Sequence, residues 1–358
     1  MSKQQTVFVG LSGGVDSSVA ALRLLNEGYN VVGVFIKVWQ PDFLECNWED
    51  ERLDAMRVAA KLDIPFLTCD AEKAYKDDVA DYFINSYRKG LTPNPDVMCN
   101  KYVKFGAFME FAEKHKADFI ATGHYAQRVE SMSSNHSLYE LHRGIDDNKD
   151  QTYFLWTLTQ KQLSKTLLPV GNSSKTQIRK EAHDAGLITA GKKDSQGVCF
   201  LGHIDIPEFL SHYIDLVKGD VLNTEGEVIG EHVGALVYTT GQRHGFTVTD
   251  KNNQREALYV IKRDIEANTI TVSSERTYTT NTDVLTIHSI NIIGEPIELL
   301  QTIQLQTRYR QNPVACKVTS ISDDTMELSL LGTSDIPSKG QSCVLYDSSV
   351  CLGGGIIA

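Results

Sequence analysis

The chain of 358 residues is 41% hydrophobic and 23% charged, the balance of an ordinary globular protein rather than a disordered one. It has no apolar run of the ~18 residues that a membrane-spanning helix needs, and its opening "MSKQQTVFVG" lacks the pattern of a secretory signal, so a cytoplasmic protein without a membrane partner is expected. A formal net charge of −11 argues against a basic surface all round and leaves room only for a local, one-sided basic face.

The first half of the chain alternates strand and helix signals. Residues 6–10 read as a short apolar strand, 16–27 as a helix stopped by Gly28, and 31–36 as a second buried strand. A helix over 49–62, the strand "IPFLTCD", a helix over 72–88, a Pro-rich loop "LTPNPDVMCN", a helix over 101–116 and a strand over 118–122 follow. This βαβα order implies an α/β fold with a parallel sheet covered by helices, whose ligands sit at the carboxyl ends of the strands. Residues 125–143 read as a hairpin with a polar tip, and 173–186 as a helix ending on Gly186. Beyond about residue 206 helix patterns fade. Short runs such as "EVIGEHV", "ALYVIKR", "TITVSS", "PVACKVTSI", "TMELSLLG" and "VCLGGGIIA" imply small β-barrels. The expected division is a nucleotide-binding domain over 1–205, a small central domain over 206–276 and a C-terminal β-barrel over 277–358.

The stretch Gly10-Leu11-Ser12-Gly13-Gly14-Val15-Asp16-Ser17-Ser18 lies between the first strand and the first helix. Free N–H groups and the helix dipole favour an anion there, and paired glycines let the backbone close on phosphate oxygens. A Walker loop carries a lysine that is missing here, so transfer of a terminal phosphate is not the natural reading. Asp16 repels phosphate directly and is expected to act through Mg²⁺. The loop resembles that of the pyrophosphatase-loop ATPases, which cleave ATP between its α and β phosphates and adenylate a carbonyl oxygen.

Seven cysteines, an odd number with no C-x-x-C spacing, exclude a disulfide framework and a zinc site. Most are expected to be buried small apolar residues. Two have reactive surroundings. Cys99 stands three residues after Asp96, at the expected mouth of a helix with Lys101 and Lys104 nearby, a setting that lowers a thiol pKa. Cys199 follows Lys192, Lys193 and Asp194, although its own neighbours Val198, Phe200 and Leu201 equally suit a core strand.

Taken together, "GVDSSVAA", "TPNPDVMCN", "ATGHYA", "GIDDNKDQTYFL", "GKKDSQGVCF", "GQRHG" and "TRYRQNPVAC" resemble, in order and over essentially the whole chain, the bacterial tRNA-specific 2-thiouridylases. These enzymes replace the 2-oxygen of the wobble uridine with sulfur. The resemblance implies ATP bound by Gly10, Leu11, Ser12, Gly13, Gly14, Val15, Asp16 and Ser17, by Ile36 against the adenine, and by close backbone approach at Gly123. It implies target-base contact by Asn94, Pro95 and Asp96, and tRNA contact by His124, Lys149, Asp150, Gln151, Arg308, Tyr309 and Gln341. Cys99 is then the nucleophile, Cys199 the carrier of a persulfide and transient disulfide partner of Cys99, and Asp96 the acid/base. A sulfur-relay protein or cysteine desulfurase is the implied persulfide donor. No third cysteine clearly joins the pair, so no iron–sulfur cluster is expected. A movable segment is expected around 192–201. Two rival readings share part of this pattern. A pyrophosphatase-loop amidotransferase or ligase needs neither Cys99 nor Cys199, and a non-catalytic RNA-binding protein needs neither Asp16 nor the glycine pair.

Overall fold

The computed structural model describes residues 4–44, 48–133, 136–194, 205–249, 257–275, 278–279, 284–335 and 337–358. Its first half contains β1 (Thr6–Gly10), α1 (Val15–Asn26), β2 (Asn30–Lys37), α2 (Trp48–Lys61) and β3 (Phe66–Asp70). Two helical runs follow. The first is α3 (Glu72–Tyr75), a π-helical stretch (Lys76–Ala80) and α4 (Asp81–Arg88). The second is α5 (Pro95–Met98), a π-helical stretch (Cys99–Ala107) and α6 (Phe108–Lys114). Then come β4 (Phe119–Ala121), the hairpin β5 (Ala126–Ser133) and β6 (His136–Arg143), α7 (Gln160–Ser164), β7 (Thr166–Leu167), α8 (Lys175–Asp184) and α9 (Ile206–Ser211).

The first sheet runs β3-β2-β1-β4-β7, and every pairing in it is parallel. Val7, Phe8 and Val9 of β1 are all buried, the continuous apolar run of a strand covered on both faces. One face packs on α1, α2 and α8 through Val19, Val58 and Ile178, the other on the two helical runs through Tyr75, Val103 and Phe108. The strand order reverses between β1 and β4, so the loops leaving these two strands open a crevice at the carboxyl edge.

The β-rich half holds more strands than the sequence reading gave. β8 (Gly219–Leu222), β9 (Val228–His232), β10 (Phe246–Val248), β11 (Tyr259–Asp264) and β12 (Thr269–Ser273) form a sheet ordered β10-β9-β8-β12-β11. Its core includes Val221, Val260 and Ile270 and is capped by Phe83, Ile84 and Tyr87 of α4 with Phe209 and Leu210 of α9. A two-residue strand β13 (Tyr278–Thr279) precedes β14 (Val284–Ile292), β15 (Thr302–Gln306), β16 (Val314–Ile321), β17 (Thr325–Leu330), a short β18 (Ser334–Asp335), β19 (Ser342–Asp347) and β20 (Val350–Ile357). β14 pairs with both β17 and β20, which closes β14-β17-β16-β15-β19-β20 into a barrel.

The hairpin β5–β6 joins this barrel rather than the parallel sheet: Val350 and Cys351 of β20 lie opposite His142 and Leu141 of β6. The first and last parts of the chain therefore share a sheet. Buried Tyr153 reinforces the join, its hydroxyl lying 3.1 Å from the carbonyl oxygens of both Thr307 and Ser342. Tyr153→Phe leaves these buried acceptors without that donor. It is expected to cost about 1–2 kcal/mol, read as a lower urea midpoint than the unsubstituted protein.

Candidate active site

The nucleotide loop leaves β1 at Gly10 and enters α1 through Gly14, its N-cap. Gly13 has φ +70°, and a Cβ there would stand 2.6 Å from the Glu51 carbonyl oxygen, so glycine is needed on both counts. The serines brace the loop. Ser12 N–H donates to Ser17 Oγ at 3.2 Å, while the Ser17 and Ser18 hydroxyls both donate to the Gly14 carbonyl. The N–H groups of the first turn have no partner within the helix and form a site of positive potential. Gly123, on the loop after β4, packs against this turn so closely that a Cβ would lie 2.6 Å from Ser17 N. It serves close approach to the loop itself. Ile36 is buried at the end of β2 beside Gly10.

Asp16, in the first turn of α1, is already engaged. Both its oxygens lie 2.8 Å from Lys175 Nζ, and Tyr125 donates its hydroxyl to Oδ1 at 2.6 Å. Burial, then the negative charge of Asp16, push the Tyr125 phenol well up, so it remains a proton donor. Lys175 also reaches Asp194 Oδ1 at 2.8 Å, and Asp194 takes Lys149 at 2.6 Å and Arg179 at 2.8 Å. Burial alone would raise the Asp194 pKa, but hydrogen bonds from Lys149 and Lys175 outweigh it and hold the group at about 2. Lys192 pairs with Asp54 at 2.8 Å. The stretch approaching Cys199 is thus tied at Lys192 and Asp194. Cys199 itself and residues 195–204 lie outside the described residues.

Lys175, Tyr125, Asp194 and Arg179 were not singled out from the sequence as site residues in their own right. A signal for Lys175 was present. Ser174 and Gln177 form a capping box that fixes Lys175 as the first residue of α8, with Arg179 one turn on.

Cys99 departs from its expected setting. The helix begins at Pro95, with Asn94 as N-cap accepting from Val97 N–H at 3.2 Å, so Cys99 lies inside the helical run rather than at its mouth. Its thiol is fully buried in the apolar core, and Asp96 stands in the first turn. Pro95 at the first helical position has no N–H to lose. Phe105, further along the same run, packs 5.8 Å from the His124 ring, linking this helix to the loop after β4. The other described cysteines are buried. Burial pushes the thiols of Cys316 and Cys351 up to about 12 and that of Cys69 up to about 11, values that keep them protonated and unreactive.

The remaining expected contact residues fall into two groups. Near the loop, His124 is buried with Nδ1 2.8 Å from Thr122 Oγ1, and burial, then Lys104, hold its pKa well below the usual imidazole value. Asp150 is buried and saturated, accepting from Arg143 at 2.7 Å and from Gly144 N–H, Thr152 N–H and the Thr152 hydroxyl. Its carboxylate shapes the turn and faces inward. Gln151 Oε1 accepts from Tyr125 N–H at 2.9 Å, and Lys149 is committed to Asp194. The second group gathers where the barrels meet the Asn94 loop. Arg308 donates to the Thr240 carbonyl, against Gly241, where a Cβ would lie 2.6 Å from Nη1. The Tyr309 ring packs 4.6 Å from Phe154, Gln341 Oε1 is buried with no hydrogen-bond partner among the described residues, and Thr92 N–H donates to the Lys339 carbonyl at 2.8 Å.

Comparison with known proteins bears on the whole chain. The family descriptions "tRNA methyl transferase HUP domain", "tRNA methyl transferase PRC-barrel domain" and "Aminomethyltransferase beta-barrel domain" match residues 5–203, 207–274 and 282–357. A tRNA-specific 2-thiouridylase MnmA of Idiomarina loihiensis is 41% identical over 98% of this chain and 95% of its own. Its Enterococcus faecalis counterpart is 42% identical over 98% and 94%. A solved 4-thiouridine synthetase–RNA complex with bound ATP is 19% identical over 58% of this chain and 50% of its own, at a TM-score of 0.35, too loose a superposition to carry an argument.

Because Asp150 holds buried donors, Asp150→Ala is expected to cost about 3–5 kcal/mol, seen as a large drop in the denaturation midpoint. An outward-facing carboxylate would change it by no more than about 0.5 kcal/mol.

Proposed function

Since the chain belongs to the tRNA-specific 2-thiouridylase family, we propose that it uses ATP to replace the 2-oxygen of the wobble uridine of tRNA with sulfur. The observation that carries this reading is the SGG loop at the start of α1, set at the switch point of a parallel sheet and packed against the loop after β4. That geometry suits a pyrophosphate held by backbone N–H groups. The adjoining helical run supplies Asn94, Pro95, Asp96 and Cys99. A cytoplasmic setting accords with a tRNA substrate, and no described helix is long and apolar enough to cross a membrane.

In this reading the uridine leaves its stack and its base meets the stiff Asn94-Pro95-Asp96 turn. Asn94 Oδ1 is spent on its helix cap and its side chain also meets the Tyr153 hydroxyl, so the residue is held in place at the turn. The 2-oxygen attacks the α-phosphorus of ATP, pyrophosphate departs from the loop, and the base carries AMP on that oxygen. A persulfide on Cys199, received from a sulfur-relay protein or cysteine desulfurase, supplies the sulfur. Its terminal sulfur bonds to the activated carbon, and AMP leaves with the old oxygen. The Cys99 thiolate attacks the inner sulfur of Cys199, breaking the persulfide bond and forming a Cys99–Cys199 disulfide. A thiol reductant restores both cysteines. Asp96 moves the proton. Cys99 is covered in the structure described, so the cycle requires its exposure to the incoming persulfide. His124, Gln151 and Lys149 border the loop, while Arg308, Tyr309 and Gln341 lie at the barrel junction. These two groups are the proposed tRNA contacts, with Asp150 acting through the turn it holds.

Mg²⁺ bound with ATP would supply charge neutralisation for a leaving pyrophosphate. The residues present do not fit a metal held by Asp16, because Lys175 occupies both its oxygens. Among the described residues no group of three His, Cys, Asp or Glu is placed to hold a metal ion.

Mass spectrometry of tRNA from cells lacking the gene tests the function: 2-thiouridine should vanish from the wobble position, and its persistence refutes the proposal. Cys99→Ser and Cys199→Ser should each reduce thiolation by more than about a hundredfold while ATP binding is retained, since in this reading both thiols handle sulfur and neither handles phosphate. Gly123→Ala should have the converse signature, weakened ATP binding with both thiols intact.

A further inference from the structure

We propose that Asn100 is a positioning residue that keeps the neighbouring Cys99 thiol covered between turnovers, by tying the start of its π-helical run to the turn at residues 152–154. The inference rests on the thiol role given to Cys99 above. Cys99 lies where the helix changes register. Its N–H bonds to the carbonyls of Asp96 and Pro95, no further than four residues back, whereas at the far end of the run the Phe108 N–H bonds to Val103, five residues back. Moving such a boundary by one residue turns the two sides of the helix relative to each other, and Cys99 is the residue on it. Gly106 permits the wider register: a Cβ there would stand 3.1 Å from the carbonyl oxygen of Lys101, five residues back.

Stability does not account for an amide at position 100. Asn100 is 3% exposed, its Nδ2 donates to the Phe154 carbonyl at 3.1 Å, and its Oδ1 is buried with no hydrogen-bond partner among the described residues. A buried acceptor left unpaired is costly, and an apolar side chain of that size avoids the cost. What the amide adds is a single bond across to the 152–154 turn. The other end of the run is held more fully. Gln162 Nε2 donates to the Phe105 carbonyl at 2.7 Å, while its Oε1 accepts from Thr159 N–H at 2.9 Å. The Asn100 end is therefore the one that can release. The turn it holds is led by Gln151 and carries the Phe154 ring, 4.6 Å from Tyr309. Gln151 and Tyr309 are both proposed tRNA contacts. A tRNA that moves this turn breaks the Asn100 bond, and Cys99 becomes reachable once the base is in place. A thiol covered until then is kept from forming disulfides out of turn.

Alkylation with iodoacetamide, read thiol by thiol by peptide mass spectrometry, tests this. In the unsubstituted protein Cys99 should label faster than Cys316 and Cys351 and with less dependence on added urea, because its opening is local. Equal rates with equal urea dependence overturn the proposal, and this measurement needs no variant to fold. Asn100→Ala should raise the urea-independent labelling of Cys99 by about fivefold to a hundredfold. Gly106→Ala, which crowds the wider register from the other side, should raise it too. A merely structural Asn100 would leave that rate unchanged and raise only the labelling of Cys316 and Cys351, which overturns the proposal. First-turnover thiolation of tRNA by Asn100→Ala should stay within about threefold of the unsubstituted rate, since the cycle needs the thiol uncovered; a loss of tenfold or more overturns the proposal by placing Asn100 in the chemistry. Full thiolation by Cys99→Ser would instead overturn the role given to Cys99 in the proposed function, whatever the labelling shows.

Discussion

A carboxylate stands in the first turn of the helix that faces the crevice, and its charge has to be balanced before an anion can approach. Asp16 is favoured where it is by the dipole of α1, yet the same dipole is what makes the turn attractive to phosphate. The structure resolves the conflict with Lys175 and Tyr125, brought from α8 and from the loop after β4. Much of the first domain serves this meeting. β1 and β4 must be adjacent for Gly123 to reach Ser17, and α8 must pack on α1 for Lys175 to reach Asp16.

The second constraint is the Asn94 turn, which sits where three parts of the chain touch. Thr92 bonds Lys339 near the closing barrel, Arg263 of the central sheet donates to the Gly90 carbonyl at 2.6 Å, and Arg308 ties the barrel to Thr240. The turn is therefore clamped from both β modules before its helix begins. The hairpin β5–β6 adds a shared sheet to the same junction. On the proposed function, an extruded base would meet a rigid surface at this turn.

How much was legible follows from the range of each signal. The alternation of apolar runs with amphipathic helices placed β1, α1, β2 and α2 within a residue or two, because hydrophobic periodicity is local. The strand of residues 284–292 escaped notice because its apolar positions alternate with polar ones only loosely, and its partners β17 and β20 are distant in sequence. The helix holding Cys99 was placed too late: Pro95 read as part of a loop, although a proline suits the first helical position.

The sequence by itself determined the family and which residues are candidates for its chemistry. A glycine pair between strand and helix, two thiols with cationic neighbours and a proline-stiffened turn are chemical facts of the chain order. Only the tertiary structure decided which charges those groups feel. Asp16 belongs to the glycine-rich loop by chain order alone, whereas Lys175, remote in sequence, is set 2.8 Å from it by the fold. Asp150, a tRNA contact by the family resemblance, is closed in by Arg143 and Thr152. Electrostatic partners act through space over a few ångströms, and chain order carries no measure of that distance.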